Sequence, residues 1–95
     1  MRMDVKQKER LLAILNVWQI LRKANVSIDD GINSINGLFL RFTGKQKLRL
    51  YLSRKQEYVV DTTQIINIEF RAKKSFRIDM VMSMSDGSVV YIETN

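Results

Sequence analysis

Cysteine and histidine are both absent from this chain of 95 residues, and each absence excludes something. Without cysteine there is no disulfide framework, no thiolate metal site and no sign of an oxidising compartment. Without histidine the commonest acid/base group at neutral pH is missing, Ser/His and Cys/His nucleophile pairs cannot form, and zinc sites built on His or Cys go with them. Glycine is scarce: the residues at 31, 37, 44 and 87 match neither a P-loop nor a dinucleotide fingerprint, and turns or helix ends account for them. Asp29 and Asp30 are the closest acidic pair, but adjacent side chains diverge, and the pair is better placed to support the start of a short helix. These exclusions lead us to expect no enzyme, no cofactor and no metal.

Long apolar runs are missing too. No uninterrupted segment approaches the about 18 residues of a membrane span, and charges are scattered through the first ten residues, against a signal peptide. The expectation is a cytoplasmic protein without a membrane partner. At this length the chain makes one domain, 1–95, in which a single sheet and one or two helices use up the residues.

The most informative stretch is Gly37 to Tyr51, GLFLRFTGKQKLRLY. Two runs alternate apolar and polar around a turn near Gly44, and successive strand side chains point to opposite faces. Leu38, Leu40 and Phe42 share one side, as do Leu48, Leu50 and Leu52, so these six read as core. The opposite side carries Phe39 and Arg41 from the first strand and Lys47, Arg49 and Tyr51 from the second. Hydrophobic phase favours a loop such as Thr43-Gly44-Lys45, or a longer one, over a two-residue turn that would set Leu40 against Arg49.

The charge is concentrated in the same place. Net charge is +6, and the segment from Arg41 to Lys55 holds six cations (Arg41, Lys45, Lys47, Arg49, Arg54, Lys55) and no carboxylate, while the other residues carry ten of each sign. A surface hairpin needs soluble side chains in any case, but a concentrated basic surface also attracts nucleic acid, anionic membrane or acidic protein.

At the N-terminus, Asp4 and Gln7 have the spacing of a capping box. From Val5 to about Ala24 or Asn25 no glycine or proline interrupts a helix-favouring composition. Leu11, Ile14, Leu15, Trp18 and Leu21 form one stripe with Ala13, Val17, Ile20 and Ala24 beside it. The apolar arc spans about 200°, against the about 100° a surface helix needs. Something besides one sheet face should therefore cover this helix. One candidate is a short second helix or loop over 27–36, with Ser27 as cap and Ile28, Ile32 and Ile35 in helical phase; the other is a second copy of the chain.

Beyond the hairpin the pattern predicts strands at about 37–43, 46–52, 57–61, 64–71, 76–84 and 88–94. In the fourth of these Ile66, Ile68 and Phe70 form the buried side and Ile65 the outer one; in the fifth Ile78, Met80 and Met82 are buried and Val81 is outside. A three-residue loop Ser85-Asp86-Gly87, with Gly87 left-handed, sets Met80 against Ile92 and Met82 against Val90. The fold class is α+β: the N-terminal helix, alone or as a helical hairpin, packs on one face of an antiparallel meander of about five strands.

Function then reduces to binding. In the first reading Arg41, Lys47 and Arg49 contact phosphates while Phe39 and Tyr51 stack on bases, with Lys45, Arg54, Lys55, Lys73 and Lys74 at the rim. Against it stand Glu69 and Asp79, which the phase places on the same face. In the second reading the protein is an adaptor or inhibitor, of the kind found among accessory proteins of mobile elements and phages. Trp18, Ile65 and Val81, five methionines and sheet edges then meet a protein partner, with the chain as a homodimer.

Overall fold

The computed structural model describes residues 4–21, 24–44, 46–53, 55–72 and 77–94. Lys45, Arg54, Lys73 and Lys74 lie outside the described residues, as do Ser75 and Phe76; of the connection expected at 72–75 between the fourth and fifth strands only Ala72 is described, and it belongs to a strand. One helix, α1 (Val5–Leu21), precedes eight strands: β1 (Asn25–Asp29), β2 (Ser34–Leu38), β3 (Arg41–Thr43), β4 (Lys47–Tyr51), β5 (Glu57–Asp61), β6 (Ile65–Ala72), β7 (Ile78–Met84) and β8 (Val89–Thr94). They form a five-stranded antiparallel sheet, order β2-β1-β8-β7-β6, and a three-stranded one, order β3-β4-β5. The protein is thus an α+β fold with its helix packed on a sheet.

The chain passes between the sheets twice, at Phe39-Leu40 and at the 3-10 turn Thr62–Gln64. The single meander is replaced by a β1–β2 hairpin and two short meanders, β3-β4-β5 and β6-β7-β8, and β8 returns to pair with β1, with Ile92 opposite Ile28. The path therefore closes on itself around one core, which holds Val26, Ile28, Leu48, Leu50, Met80, Met82 and Ile92. The single open meander expected from the sequence lacked this closure because it lacked β1 and β2.

Residues 27–36 are a β-hairpin and hold no second helix. Val26 and Ile28 alternate inward, and Ile35 faces Ile28 across the pair. The carboxylate of Asp30 accepts from the Ile32 and Asn33 N–H groups (2.9 and 2.6 Å) and closes the turn. This side-chain capping stabilises a turn as readily as it starts a helix.

The start of α1 is as expected: Gln7 N–H donates to Asp4 Oδ1 (2.7 Å), and Asp4 N–H to Gln7 Oε1. Leu11, Ile14, Leu15 and Trp18 enter the core. Residues 22 and 23 lie outside the described residues, and of the two residues expected at the end of the helix, Ala24 is not helical and Asn25 opens β1. Among the described residues no helix is long and apolar enough to cross a membrane.

Three phases differ from the sequence reading. Phe39 continues the inward phase of Ile35 and Gly37 in β2, so it is wholly buried, while Leu40 is exposed. The inward phase resumes in β3 with Phe42 opposite Leu50, after the crossing. In β6 a bulge between Ile65 and Asn67 shifts the register, so Ile65 is fully buried and Ile66 turns outward. The third difference concerns residue 38, which lies with Ser34 and Asn36 on the outer side of β2.

The Ser85-Asp86-Gly87 loop has the expected register, whereas in the β3–β4 hairpin Thr43 still pairs with Arg49, so the loop expected at Thr43-Gly44-Lys45 begins after Thr43, with Phe42 opposite Leu50 keeping apolar against apolar. Gly87 is left-handed (φ 91°), and Met80 pairs with Ile92 and Met82 with Val90, as expected. Gly44 is also left-handed (φ 114°), and a Cβ there would collide with the Lys47 carbonyl.

Candidate functional site

The outer face of the three-stranded sheet is built around β4, where Leu48, Leu50 and the following Leu52 anchor the strand inward. That alternation directs Lys47, Arg49 and Tyr51 outward. Register then sets Tyr51 between Arg41 and Glu57, Arg49 between Thr43 and Val59, and Lys47 beside Asp61. The Arg41 guanidinium lies 4.9 Å from the centre of the Tyr51 ring, a cation-π contact that holds both groups in place.

The carboxylates near these cations come from β5. Arg49 Nη1 is 3.2 Å from Glu57 Oε1, in a half-exposed ion pair of the kind worth less than about 1 kcal/mol. Asp61 titrates below the usual carboxylate range, chiefly because Thr63 donates to it and in small part because Lys47 is near. Glu69 and Asp79 belong to the other sheet: Glu69 pairs with Arg71 (3.1 Å), and the buried Asp79 accepts from Tyr91 Oη (2.7 Å). The objection from those two residues falls away, and Glu57 and Asp61 take their place as local acids.

Beside Tyr51 an open groove of about 570 Å³ runs to the helix and to the turn after β4, lined by Gln19, Leu40, Arg41, Tyr51, Lys55 and Gln56 among others. Its volume lies within the 300–1,000 Å³ typical of ligand sites. Lys55 has a left-handed backbone (φ 64°) and is exposed. Leu40, Gln19 and Gln56 escape sequence reasoning here. The only hint is the extra apolar residue of FLRF, one more than a single alternating strand accommodates.

Phe39 is not part of this face. Its ring lies under the helix against Trp18, and burial removes it from any stacking role. The three residues expected at an interface are also dispersed. Trp18 and Ile65 are core, and Val81 is half-buried on the outer side of the five-stranded sheet, between Glu69 and Tyr91. Met80 and Met82 are buried and offer no adaptable surface.

A second, apolar feature lies on α1. Val17 lines a groove of about 180 Å³ with Arg10, Ala13, Ile14, Trp18 and Ile78, and the exposed Leu21 and Ile20, the latter 79 % exposed, follow it on the same helix. The over-wide apolar arc read from the sequence is thus left uncovered along this side.

No family model, curated protein or solved structure matches the chain.

Proposed function

We propose that this protein is a non-enzymatic binding module that takes single-stranded nucleic acid on the outer face of β3 and β4. The observation that carries the reading is the Arg41–Tyr51 stack at the mouth of the 570 Å³ groove, flanked by Lys47 and Arg49 on one side and Lys55 on the other. An aromatic face offers a base a stacking surface, and the cations give the backbone its counterion-releasing contacts. A phosphate at Arg49 must displace Glu57, which costs little for a half-exposed pair.

Fluorescence anisotropy of labelled single- and double-stranded oligonucleotides, titrated at several salt concentrations, tests this. Three phosphate contacts on a single strand give a slope of log K against log salt near about −2. The Lys47→Glu/Arg49→Glu variant should abolish binding. Absence of binding even at low salt would make the basic hairpin a solvated face.

The apolar side of α1 favours a second reading, an adaptor or inhibitor that meets a protein through Val17, Ile20 and Leu21. Such contact responds weakly to salt and is lost in Ile20→Glu, which leaves oligonucleotide binding unchanged. Either role suits a cytoplasmic protein.

A further inference from the structure

Each of the two sheets has two edges, and three of the four carry a recognisable guard against pairing with another chain. On β6, Gln7 Nε2 donates to the Ile68 carbonyl (3.1 Å) and Arg10 lies over the Phe70 ring (4.7 Å). On β3, the Phe42 N–H donates to Gln19 Oε1 (3.3 Å). The third, β5, begins with Glu57 and ends with Asp61, so antiparallel pairing of two copies about Val59 would set like charges opposite each other.

On the fourth edge, β2, such a contact lies at the last residue, Leu38, and Ser34 to Asn36 carry none of these devices. Its sequence Ser-Ile-Asn-Gly-Leu contains no charge, proline or bulge, and the uncharged run extends from Gly31 to Leu40 in a chain that is 27 % charged. Its open groups can be named. Phe39 N–H donates to the Ala24 carbonyl, so odd-numbered residues turn towards β1 and even-numbered ones away. Leu38 N–H, on the outward side, is closed by Ser53 Oγ (3.1 Å). Ser34 and Asn36 therefore present their backbone N–H and C=O groups to the free edge.

We infer that two copies of this chain join by antiparallel β2–β2 pairing, with Ser34 of each opposite Asn36 of the other. Both residues have outward backbone groups, so each such pair exchanges two hydrogen bonds and the two-fold axis falls at Ile35. This register stops short of the Ser53 turn. A two-fold axis sets like against like, so among the exposed strands it is the uncharged one that can pair with itself. The inference stands apart from the nucleic-acid reading.

Sedimentation equilibrium from low to high micromolar concentration provides the test. The expected result is a monomer–dimer equilibrium, weakened at least tenfold by Ser34→Lys/Asn36→Lys, which places like charges opposite each other at exposed positions. Because the chain has no cysteine, an equimolar mixture of Ser34→Cys and Asn36→Cys proteins offers a second measurement. Hydrogen-bonded antiparallel pairs have Cα atoms about 5.5 Å apart, within disulfide range, so mild oxidation should give the 34–36 disulfide. An Ala13→Cys control on the helix should stay uncrosslinked. A wild-type monomer throughout, undiminished association of the lysine variant, or crosslinking through position 13 alone would overturn the inference.

Discussion

The Trp18 indole meets the Phe39 ring edge-on, with centroids 5.5 Å apart and planes at 72°. The contact ties α1 to the point where the chain leaves the five-stranded sheet for the three-stranded one. Edge-to-face pairs add about 0.5–1.5 kcal/mol to the burial of the rings themselves. Phe39→Ala should therefore cost about 3–5 kcal/mol in chemical denaturation. Tyr51→Ala, on the outer face, should leave stability nearly unchanged and weaken oligonucleotide binding by about 1–3 kcal/mol. An oligonucleotide-specific loss in folded Phe39→Leu would contradict this division of roles.

Gln7 and Gln19 fasten the two ends of α1 to different sheets, one to the Ile68 carbonyl and the other to the Phe42 N–H. Substitution of either by alanine leaves a strand-edge group without its protein partner, at a cost of about 0.5–1.5 kcal/mol. Gln7→Ala should be the more damaging because it also opens the capping box. The sites share no partner, so the double variant should show additive loss in urea unfolding.

Asp30 titrates at about 2, below the ordinary 3.8, because it accepts from the Asn33 and Ile32 N–H groups and from Tyr58 Oη (2.8 Å). Burial first, and then this carboxylate, push the Tyr58 phenol upward. A lowered folded-state pKa stabilises the fold in full above the unfolded value and ceases to do so as pH falls through the folded one. Stability linked to Asp30 should thus disappear between pH 3.8 and about 2. Tyr58→Phe should raise the Asp30 pKa part of the way to 3.8, read by carboxyl NMR titration. An ordinary Asp30 titration in the wild type would show the turn contacts to be absent in solution.

Lys55 holds a left-handed backbone without being glycine, a conformation that costs about 1–2 kcal/mol relative to glycine. Lys55→Gly should raise the denaturation midpoint while reducing oligonucleotide affinity and flattening its salt slope by about 0.7 for one lost phosphate contact. Affinity unchanged beside increased stability would remove Lys55 from the binding face.

Short-range chemistry was legible in the sequence. The capping box at Asp4 and Gln7, the inward leucines of β4, and the Gly87 turn with its Met80–Ile92 register all depend on residues close in the chain. Period and turn geometry there leave few alternatives. The basic face was legible for the same reason, since Lys47 and Arg49 follow from the alternation of β4.

Tertiary structure decided the rest. Phe39 and Ile65 went inside, and Leu40 and Ile66 outside, because a strand crossing between sheets and a bulge each shift the phase by a residue without a distinctive local signal. The 27–36 segment became a hairpin because β8, at the far end of the chain, supplies the strand against which β1 pairs. By itself the sequence determined the helix, the alternating strands and where the positive charge collects, all set by neighbours in the chain. Which side of a bent strand is buried, which acids stand beside the cations and which edge stays open were decided only when distant segments packed together.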